Sequence, residues 1–309
     1  MPLLIGLAAL AAAAVLLAMG GPSPIAGPGA TFTALPGPVP SLSQATSFRQ
    51  PPAVSGRLRV MTYNIRWGLG ADGRRDLTRT AAVLRQLDAD IVILNEVDVN
   101  WRRSGNSDQP ARLAAEAGYP YVYFGASFRT WASGSLKASA YGNAILSRHP
   151  IVSAHTIPLP NPLRREPRSV LVARVLVGGQ ALTVLGTHLG LHRFERLEQA
   201  GHIARLVNAS EPVILMGDFN AFPGSEEIAL LISGPTGLSD AHGLAGSGSG
   251  ETFPAPEPSA RIDYIFVSPP LASRVVASRA VPADASDHLP VVADLDWPGQ
   301  GMAGAAPNP

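Results

Sequence analysis

The nine residues Pro-Val-Ile-Leu-Met-Gly-Asp-Phe-Asn at 212–220 join a short apolar run to two polar side chains. The four apolar residues at 213–216 are enough for a buried strand. Gly217 lets the backbone turn, and Asp218 and Asn220 then point the same way if the backbone is extended. A carboxylate that deprotonates water and an amide that donates to a phosphoryl oxygen suit phosphate hydrolysis. Gly, Asp and Asn are also ordinary turn residues, so this stretch alone leaves a simple turn open.

Similar polar residues occur at the ends of other apolar runs, or inside them. They are Asn64, Glu96, His188, Asp263 and the pair Asp287-His288. Each has a structural explanation when taken singly, as a turn cap, a surface carboxylate or a hydrogen-bonded histidine. Together with the first stretch they make six sites of residue types that bind Mg²⁺ or phosphate. Six such coincidences are hard to explain by structure alone, so the pattern indicates one shared site.

The region 57–297 alternates strand-like and helix-like segments. Strands are predicted at 58–65, 91–97, 121–124, 144–147, 151–157, 170–177, 182–187, 213–216, 262–267 and 291–295. Helices are predicted at 77–87, 111–117, 191–207 and 226–232. For helix 191–207 the predicted apolar face is Leu191, Phe194, Leu197, Ala204 and Val207. Many strands with helices between them predict an α/β (α+β) fold of two packed sheets with helices outside.

The two ends of the chain have a different composition from this domain. Residues 3–19 are uninterrupted apolar residues, slightly short of the ~20 that span a bilayer. We therefore interpret 1–20 as a signal peptide or an N-terminal membrane anchor, which predicts a secreted protein or one anchored to the outer face of the cell membrane. Residues 21–56 are rich in Pro and Gly and are typical of a linker, and 298–309 are predicted to be a disordered tail.

Composition excludes several kinds of chemistry. The chain has no cysteine, which rules out disulfides, thiolate zinc sites and a cysteine nucleophile. Its formal net charge is +1, and because Arg49 is the only charged residue outside 57–297, the domain itself is neutral. Lys137 is the only lysine. These features are not those of a dedicated nucleic-acid binder with a dense basic stripe, although several loop arginines can still form a local basic face.

A series of short motifs then occurs in a familiar order. They are Thr-Tyr-Asn at 62–64, Asn-Glu at 95–96, Tyr-Gly-Asn-Ala-Ile-Leu-Ser-Arg at 141–148, Gly-Thr-His at 186–188, Gly-Asp-Phe-Asn at 217–220, Arg-Ile-Asp-Tyr-Ile-Phe at 261–266 and Ser-Asp-His at 286–288. The series resembles the endonuclease/exonuclease/phosphatase superfamily, which includes deoxyribonuclease I, AP endonucleases, neutral sphingomyelinases and inositol polyphosphate 5-phosphatases. The resemblance covers about 60–295 and is specific for the superfamily rather than for a substrate.

The resemblance implies a deoxyribonuclease I-like, four-layer sandwich of two mostly antiparallel sheets flanked by helices, with the site at one edge. It also implies roles for single residues. Glu96 would be the main Mg²⁺ ligand, with Asn64 and Asp287 near the metal. Asp218 would orient or activate water, Asn220 would hold a phosphoryl oxygen, and His188 and His288 would be catalytic. Asp263 would orient one of these histidines, and Arg168 and Asn143 would meet the substrate phosphate. Mg²⁺ is the expected cofactor, with Mn²⁺ as a substitute.

The expected function is Mg²⁺-dependent hydrolysis of phosphoester bonds, above all phosphodiester bonds, in nucleic acid or phospholipid. A phosphomonoesterase acting on small phosphorylated substrates is an alternative. An alternative of another class is a catalytically inactive binding module at the cell surface. For the protein itself we expect a monomer. The complete set of Glu96, His188, Asp218 and His288 argues for the enzyme, because an inactive relative would usually have lost one of them.

Overall fold

The computed structural model describes residues 56–131 and 137–298. The predicted leader at 1–20, the predicted linker up to 55 and the tail from 299 lie outside the described residues. Among the helices in those two ranges, none is both long and apolar enough to cross a bilayer.

Two six-stranded sheets form the centre of the molecule. The strands are β1 (Arg57–Asn64), β2 (Ile91–Val99), β3 (Tyr121–Thr130), β4 (Ser139–Ser147), β5 (Ile151–Pro158), β6 (Ser169–Val177), β7 (Gln180–His188), β8 (Val213–Asp218), β9 (Ser239–Asp240), β10 (Asp263–Val267), β11 (Val275–Ala280) and β12 (Val291–Asp296). One sheet has the order β11-β12-β1-β2-β4-β3 and the other β5-β6-β7-β8-β10-β9. Among the strand pairs of the described residues, two are parallel: the pair β1–β2 and the pair β7–β8. The other pairs are antiparallel. The predicted architecture of two mostly antiparallel sheets is confirmed.

The first four helices pack on the outer faces of these sheets, and the last two, which are short, contact the apolar side chains between the sheets. In chain order, they are α1 (Leu77–Leu87), α2 (Gln109–Ala117), α3 (Arg193–Ala204), α4 (Glu226–Ile232), α5 (Ala241–Ala245) and α6 (Pro269–Ala272). Helix α1 has the predicted bounds, and Asp76 caps its N-terminus, since an Asp76 carboxylate oxygen accepts a hydrogen bond from Thr78 N at 2.9 Å. Helix α2 ends at Gly118, whose left-handed backbone favours glycine.

Three apolar clusters hold the four layers together. The central cluster contains side chains of both sheets, among them Ile93 and Met216, and therefore lies between the sheets. A second cluster joins the first sheet to α1 and α2, and a third joins the second sheet to α3 and α4. Each sheet is thus buried on both faces, which explains why β8 carries a continuous apolar run rather than an alternating one.

The prediction for the helix at 191–207 is wrong in its bounds and in its buried face. Leu191 and Phe194 are 58% and 49% exposed, whereas Gln199 is buried. Gln199 faces inward because its amide accepts a hydrogen bond from Gly190 N at 2.8 Å and donates one to Pro160 O at 3.0 Å. A buried amide that satisfies loop groups in this way is invisible to a search for apolar periodicity. The sequence also missed β9, β11, α5 and α6, which are short or carry a mixed pattern.

Gly217 fixes how closely β7 and β8 approach each other at the end of the sheet. Its φ of +151° is rare for L side chains, and a Cβ at this position would overlap the carbonyl oxygen of Thr187. Glycine is therefore required by the backbone contact itself and not merely by a turn. The contact sets the position of Asp218, the next residue.

Replacing Gly217 with alanine should destabilise the fold, because the added methyl group meets backbone that cannot rotate away. We expect a loss of about 2–3 kcal/mol, which lowers Tm by roughly 5–10 °C in a domain of this size. Gly201→Ala is the matched control: Gly201 lies within α3, with only the end of Arg205 near the new methyl group, so the change should raise Tm slightly. Calorimetry of both variants decides, and an unchanged Tm for Gly217→Ala would contradict the steric argument.

Candidate active site

Strand register alone brings three of the predicted site residues side by side. His188 at the end of β7 pairs with Asp218 at the end of β8, and Asp218 pairs with Asp263 at the start of β10. All three side chains are buried. Because paired residues on neighbouring strands point to the same face, the three side chains form a row across the end of the second sheet.

The first sheet contributes its residues at a bulge. Asn64 and Asn95 pair at the ends of β1 and β2. The register between β2 and β4 then shifts between Leu94 and Val97, and Glu96, inside the shift, has a positive φ of 57°. A bulge re-aims the side chain that it carries. Because of the bulge, the side chain of Glu96 does not follow the alternating side-chain directions of the rest of β2.

Side chains of both sheets and of the loop before β12 converge on one oxygen atom, Oδ2 of Asp218. Asn64 donates to it from Nδ2 at 3.0 Å, and the Nε2 atoms of His188 and His288 lie 3.3 and 3.8 Å away. The other oxygen of Asp218 accepts the backbone N–H of Asn220 at 2.9 Å. Burial, followed by the nearby negative charge of Asp263, raises the pKa of Asp218 to about 7. The carboxyl group is therefore near its midpoint of ionisation at neutral pH.

Of the two amides that were predicted at this site, that of Asn64 holds Asp218 and Glu96 in place, and that of Asn220 bonds to the backbone. Asn64 Nδ2 also donates to Glu96 Oε1 at 3.1 Å, while its oxygen accepts from Arg66 N at 3.0 Å. Asn220 Nδ2 donates to Leu189 O at 3.0 Å. In this arrangement Asn64 bridges the two carboxylates through its NH₂ group.

Asp263 orients His288, which answers a question that the sequence left open. Its Oδ2 lies 2.9 Å from His288 Nδ1 and also accepts a hydrogen bond from the Thr252 hydroxyl at 2.6 Å. Burial acts to lower the pKa of His288, but the carboxylates of Asp263 and Asp218 outweigh it and raise that pKa to about 10. His288 is therefore a cation at neutral pH.

His188 has the opposite environment. Arg168 Nη1 lies 3.0 Å from His188 Nδ1, and the same guanidinium pairs with Glu166 at 2.8 Å. Burial and then the positive charges of Arg168 and His288 hold the pKa of His188 well below its usual range. Arg168, which the resemblance assigned to the substrate phosphate, is buried against this histidine.

Asn143 is the predicted site residue that the structure does not bring to this cluster. Its side-chain oxygen accepts from Asn95 at 2.8 Å, and its amide nitrogen donates to Ser169 O at 3.2 Å. Both polar ends are thus occupied inside the protein, and we correct its assignment to the substrate phosphate. Asn95, which the sequence did not single out, links the sheets instead: it also donates to Thr187 O and accepts the backbone N–H of Asp218.

Carboxylates next to this network fit a divalent cation. Burial and then the negative charge of Asp287 raise the pKa of Glu96, as expected for two carboxylates that lie near each other. Asp287 lies 3.2 Å from Arg66 Nη1, an ion pair that no local sequence pattern predicts. Asp263 keeps a buried oxygen without a hydrogen-bond partner in the part of the chain that the structure describes. Such an oxygen-rich set suits Mg²⁺ better than zinc.

Comparison with known proteins agrees with this geometry. The model of the Endonuclease/Exonuclease/phosphatase family matches residues 61–288. The chain belongs to this family. Its members are hydrolases that act on phosphoester bonds and generally depend on a divalent metal.

Two similar proteins support membership in the endonuclease/exonuclease/phosphatase family, and a third shows the fold. The chain is 30% identical to the uncharacterised protein YbhP of Escherichia coli K12 over 77% of this chain and 95% of YbhP. It is similar to the crystal structure of an endonuclease/exonuclease/phosphatase from Beutenbergia cavernae at 33% identity, with a TM-score of 0.67 over 80% of this chain and 73% of that one. The mannosyl-6-phosphatase Bt3783 of Bacteroides thetaiotaomicron shares the fold at 21% identity, with a TM-score of 0.63 over 78% of this chain and all of that one.

The charge on His288 in this family member should depend on Asp263. In Asp263→Asn we expect the pKa of His288 to fall from about 10 toward or below 6.5, because burial remains while a carboxylate is lost. NMR titration of the metal-free protein measures this shift. Asp240→Asn, which removes a carboxylate paired with Arg261, is the control and should leave His288 unchanged.

The same shift predicts a dependence of stability on pH. A raised histidine pKa stabilises the fold fully below about pH 6.5, and this stabilisation is lost as pH rises through about 10. The free energy of unfolding should fall less over this window in Asp263→Asn than in the wild type. Equal slopes in the two proteins would contradict the assignment of Asp263 as the partner of His288.

Proposed function

We propose that this protein is a Mg²⁺-dependent phosphodiesterase that hydrolyses nucleic acid or phospholipid by attack of water on phosphorus. The observation that carries the proposal is the convergence of Asn64, His188 and His288 on one oxygen of Asp218, next to the carboxylates of Glu96 and Asp287. Phosphoryl transfer needs positioning and charge stabilisation more than covalent chemistry, and this cluster supplies both.

Asp218 serves as the base that takes a proton from water. A base works best when its pKa lies near the working pH, and the pKa of Asp218 is about 7. Its carboxylate is held by Asn64 on one oxygen and by the backbone of Asn220 on the other, so its direction is fixed before substrate binds. Fixed direction reduces the reorganisation that the reaction requires.

His288 serves as the cationic partner of the phosphate group. Since it carries a proton on each nitrogen at neutral pH, Nδ1 donates to Asp263, while the N–H group of Nε2, 3.8 Å from Asp218 Oδ2, is available to the substrate. From that position it can donate to a phosphoryl oxygen and return a proton to the leaving group. Asp263 keeps the ring oriented throughout, and keeps it charged until that proton is transferred.

Glu96 and Asp287 would hold the metal ion, with Asn64 beside them. When bound, Mg²⁺ would polarise the phosphoryl group and stabilise the leaving oxygen. It would also offset the burial and the negative charge of Asp287, which together raise the pKa of Glu96. Mn²⁺ would substitute, because it accepts the same oxygen ligands.

A guanidinium–aromatic cluster beside these carboxylates supports a substrate that contains rings. Arg103 lies over the rings of Trp67, Trp101 and Tyr141, with 5.2, 5.0 and 5.3 Å from its central carbon to their centroids. A bidentate pair with buried Asp98 fixes Arg103 in this position. Trp67 and Trp101 are half-buried and therefore keep some ring surface accessible. Aromatic surface beside a phosphate site favours nucleic acid, whose bases stack on such rings.

Other features support the remaining candidate substrates. The apolar segment at 3–19 supports secretion or anchoring at the outer face of the cell membrane, where phospholipid is abundant. Fold similarity to a mannosyl-6-phosphatase keeps small phosphomonoesters as the second candidate. We also propose that the protein acts as a monomer.

Metal binding should depend on Glu96. We expect Glu96→Gln to weaken Mg²⁺ binding on the order of 100-fold, because one negatively charged ligand is lost. Titration calorimetry of the full-length protein measures the affinity without any assay of activity. Glu116→Gln, which removes a surface carboxylate paired with Arg112 on α2, should bind Mg²⁺ like the wild type. Failure of the wild type to bind Mg²⁺ would favour the inactive binding module.

Assays of several phosphoesters in parallel identify the substrate. With Mg²⁺ but not with EDTA, the full-length protein should nick supercoiled plasmid, and Asp218→Ala should lower the rate by about 10²–10⁴-fold. Phosphatidylcholine vesicles and mannose 6-phosphate are the competing substrates. Release of choline phosphate with intact plasmid would identify a lipid phosphodiesterase instead.

The guanidinium–aromatic cluster offers a matched variant for the same assay. Trp67→Leu keeps the metal and proton-transfer residues and removes only ring surface. We expect it to raise KM for nucleic acid by about 10-fold while leaving hydrolysis of bis(p-nitrophenyl) phosphate near wild type. An equal loss on both substrates would show that Trp67 supports the site rather than the substrate.

A further inference from the structure

The two histidines of the site face opposite kinds of hydrogen-bond partner at Nδ1. His288 Nδ1 lies 2.9 Å from the carboxylate of Asp263, whereas His188 Nδ1 lies 3.0 Å from the guanidinium of Arg168. An ionised carboxylate can only accept a hydrogen bond, and a guanidinium can only donate one. Nδ1 must therefore carry a hydrogen in His288 and a lone pair in His188.

The lone pair on Nδ1 fixes the rest of the His188 ring. A neutral imidazole has one N–H group, so in His188 the hydrogen lies on Nε2, 3.3 Å from Asp218 Oδ2. Protonation of Nδ1 would set an N–H group against the N–H groups of Arg168. His188 is thus uncharged, and its single N–H group is on the nitrogen beside the carboxylate that takes up the proton in the proposed reaction.

Arg168 is itself held so that it cannot leave this position easily. It is 7% exposed, and Glu166 binds the same Nη1 atom at 2.8 Å. The backbone carbonyl of Arg168 accepts from Leu159 N at 2.9 Å, immediately before β6 begins. Arg168 is therefore built into the edge of the second sheet, behind His188 as seen from Asp218.

We propose that Arg168 is a positioning residue that holds His188 as a neutral Nε2–H donor to Asp218. In this state His188 has no lone pair facing Asp218, so it cannot compete for the proton that water releases. Asp218 is then the base of the pair, and His188 only orients it. This catalytic consequence rests on the proposed function, whereas the hydrogen-bond assignment does not.

The assignment differs from the phosphate-binding role that the resemblance implied for Arg168. A guanidinium that binds the substrate phosphate would mainly affect KM when replaced. If the guanidinium instead acts through His188, its replacement would change the tautomer of that ring. The replacement would then lower kcat, because the Asp218 carboxylate would no longer be held in its direction. The two roles therefore predict different measurements on the same variants.

The test compares Arg168→Lys with Arg168→Met in the full-length protein. The two replacements are unbranched and similar in length, but only lysine keeps a positively charged donor that cannot accept. Long-range ¹H–¹⁵N NMR of ¹⁵N-histidine protein, metal-free, reports which ring nitrogen carries hydrogen. His188→Gln assigns the signal among the seven histidines.

We expect the wild type and Arg168→Lys to show His188 with hydrogen on Nε2 only. Arg168→Met should show a second tautomer or a protonated ring. With bis(p-nitrophenyl) phosphate as the probe, Arg168→Met should lower kcat by about 100-fold with little change in KM, and Arg168→Lys should recover most of that loss.

Two results would overturn the proposal. One is hydrogen on Nδ1 of His188 in the wild type, a measurement that needs no variant and stands even if Arg168→Met does not fold. The other is an unchanged His188 tautomer in Arg168→Met together with a rise in KM alone, which would assign Arg168 to the substrate phosphate. The expected tautomers without hydrolysis of any phosphoester would support the assignment of Arg168 and refute the proposed function instead.

Discussion

The buried carboxylate of Asp218 is the constraint on which the site depends. An ionisable group inside a protein is costly unless its partners are already in place, and here they come from both sheets. Asn64 reaches it from the first sheet and His188 from the second, while Asn95 of the first sheet accepts its backbone N–H. The site therefore exists only when the two sheets are packed together, and folding and assembly of the site are one event.

Packing of the sheets stabilises the fold, whereas the charged groups of the site destabilise it. Three apolar clusters favour the four-layer fold, whereas the half-buried Glu96 and the buried Asp218 have raised pKa values. Positive φ angles at Glu96 and Asn220 add backbone strain at the same place. Carboxylates with raised pKa values and backbone strain, both unfavourable for stability, are typical of a site that is maintained for function.

The two histidines show how a fold assigns different tasks to identical side chains. His288 is paired with an acceptor and is charged, while His188 is paired with a donor and is neutral. Neither ring differs chemically from the other before folding. The difference lies in which residue each ring meets at Nδ1, Asp263 for His288 and Arg168 for His188.

The sequence by itself determined the fold class, the strands and helices with long regular patterns, and most of the residues that meet at the site. It could do so because apolar runs and the polar residues at their ends are local features, as in Val213–Asp218. Only the tertiary structure decided which carboxylate meets which histidine, that Gln199 faces inward, and that Asn143 is occupied inside the protein. These facts depend on the register between strands and on contacts across the two sheets, between residues as far apart as Asn64 and Asp218, and no local pattern records such distances.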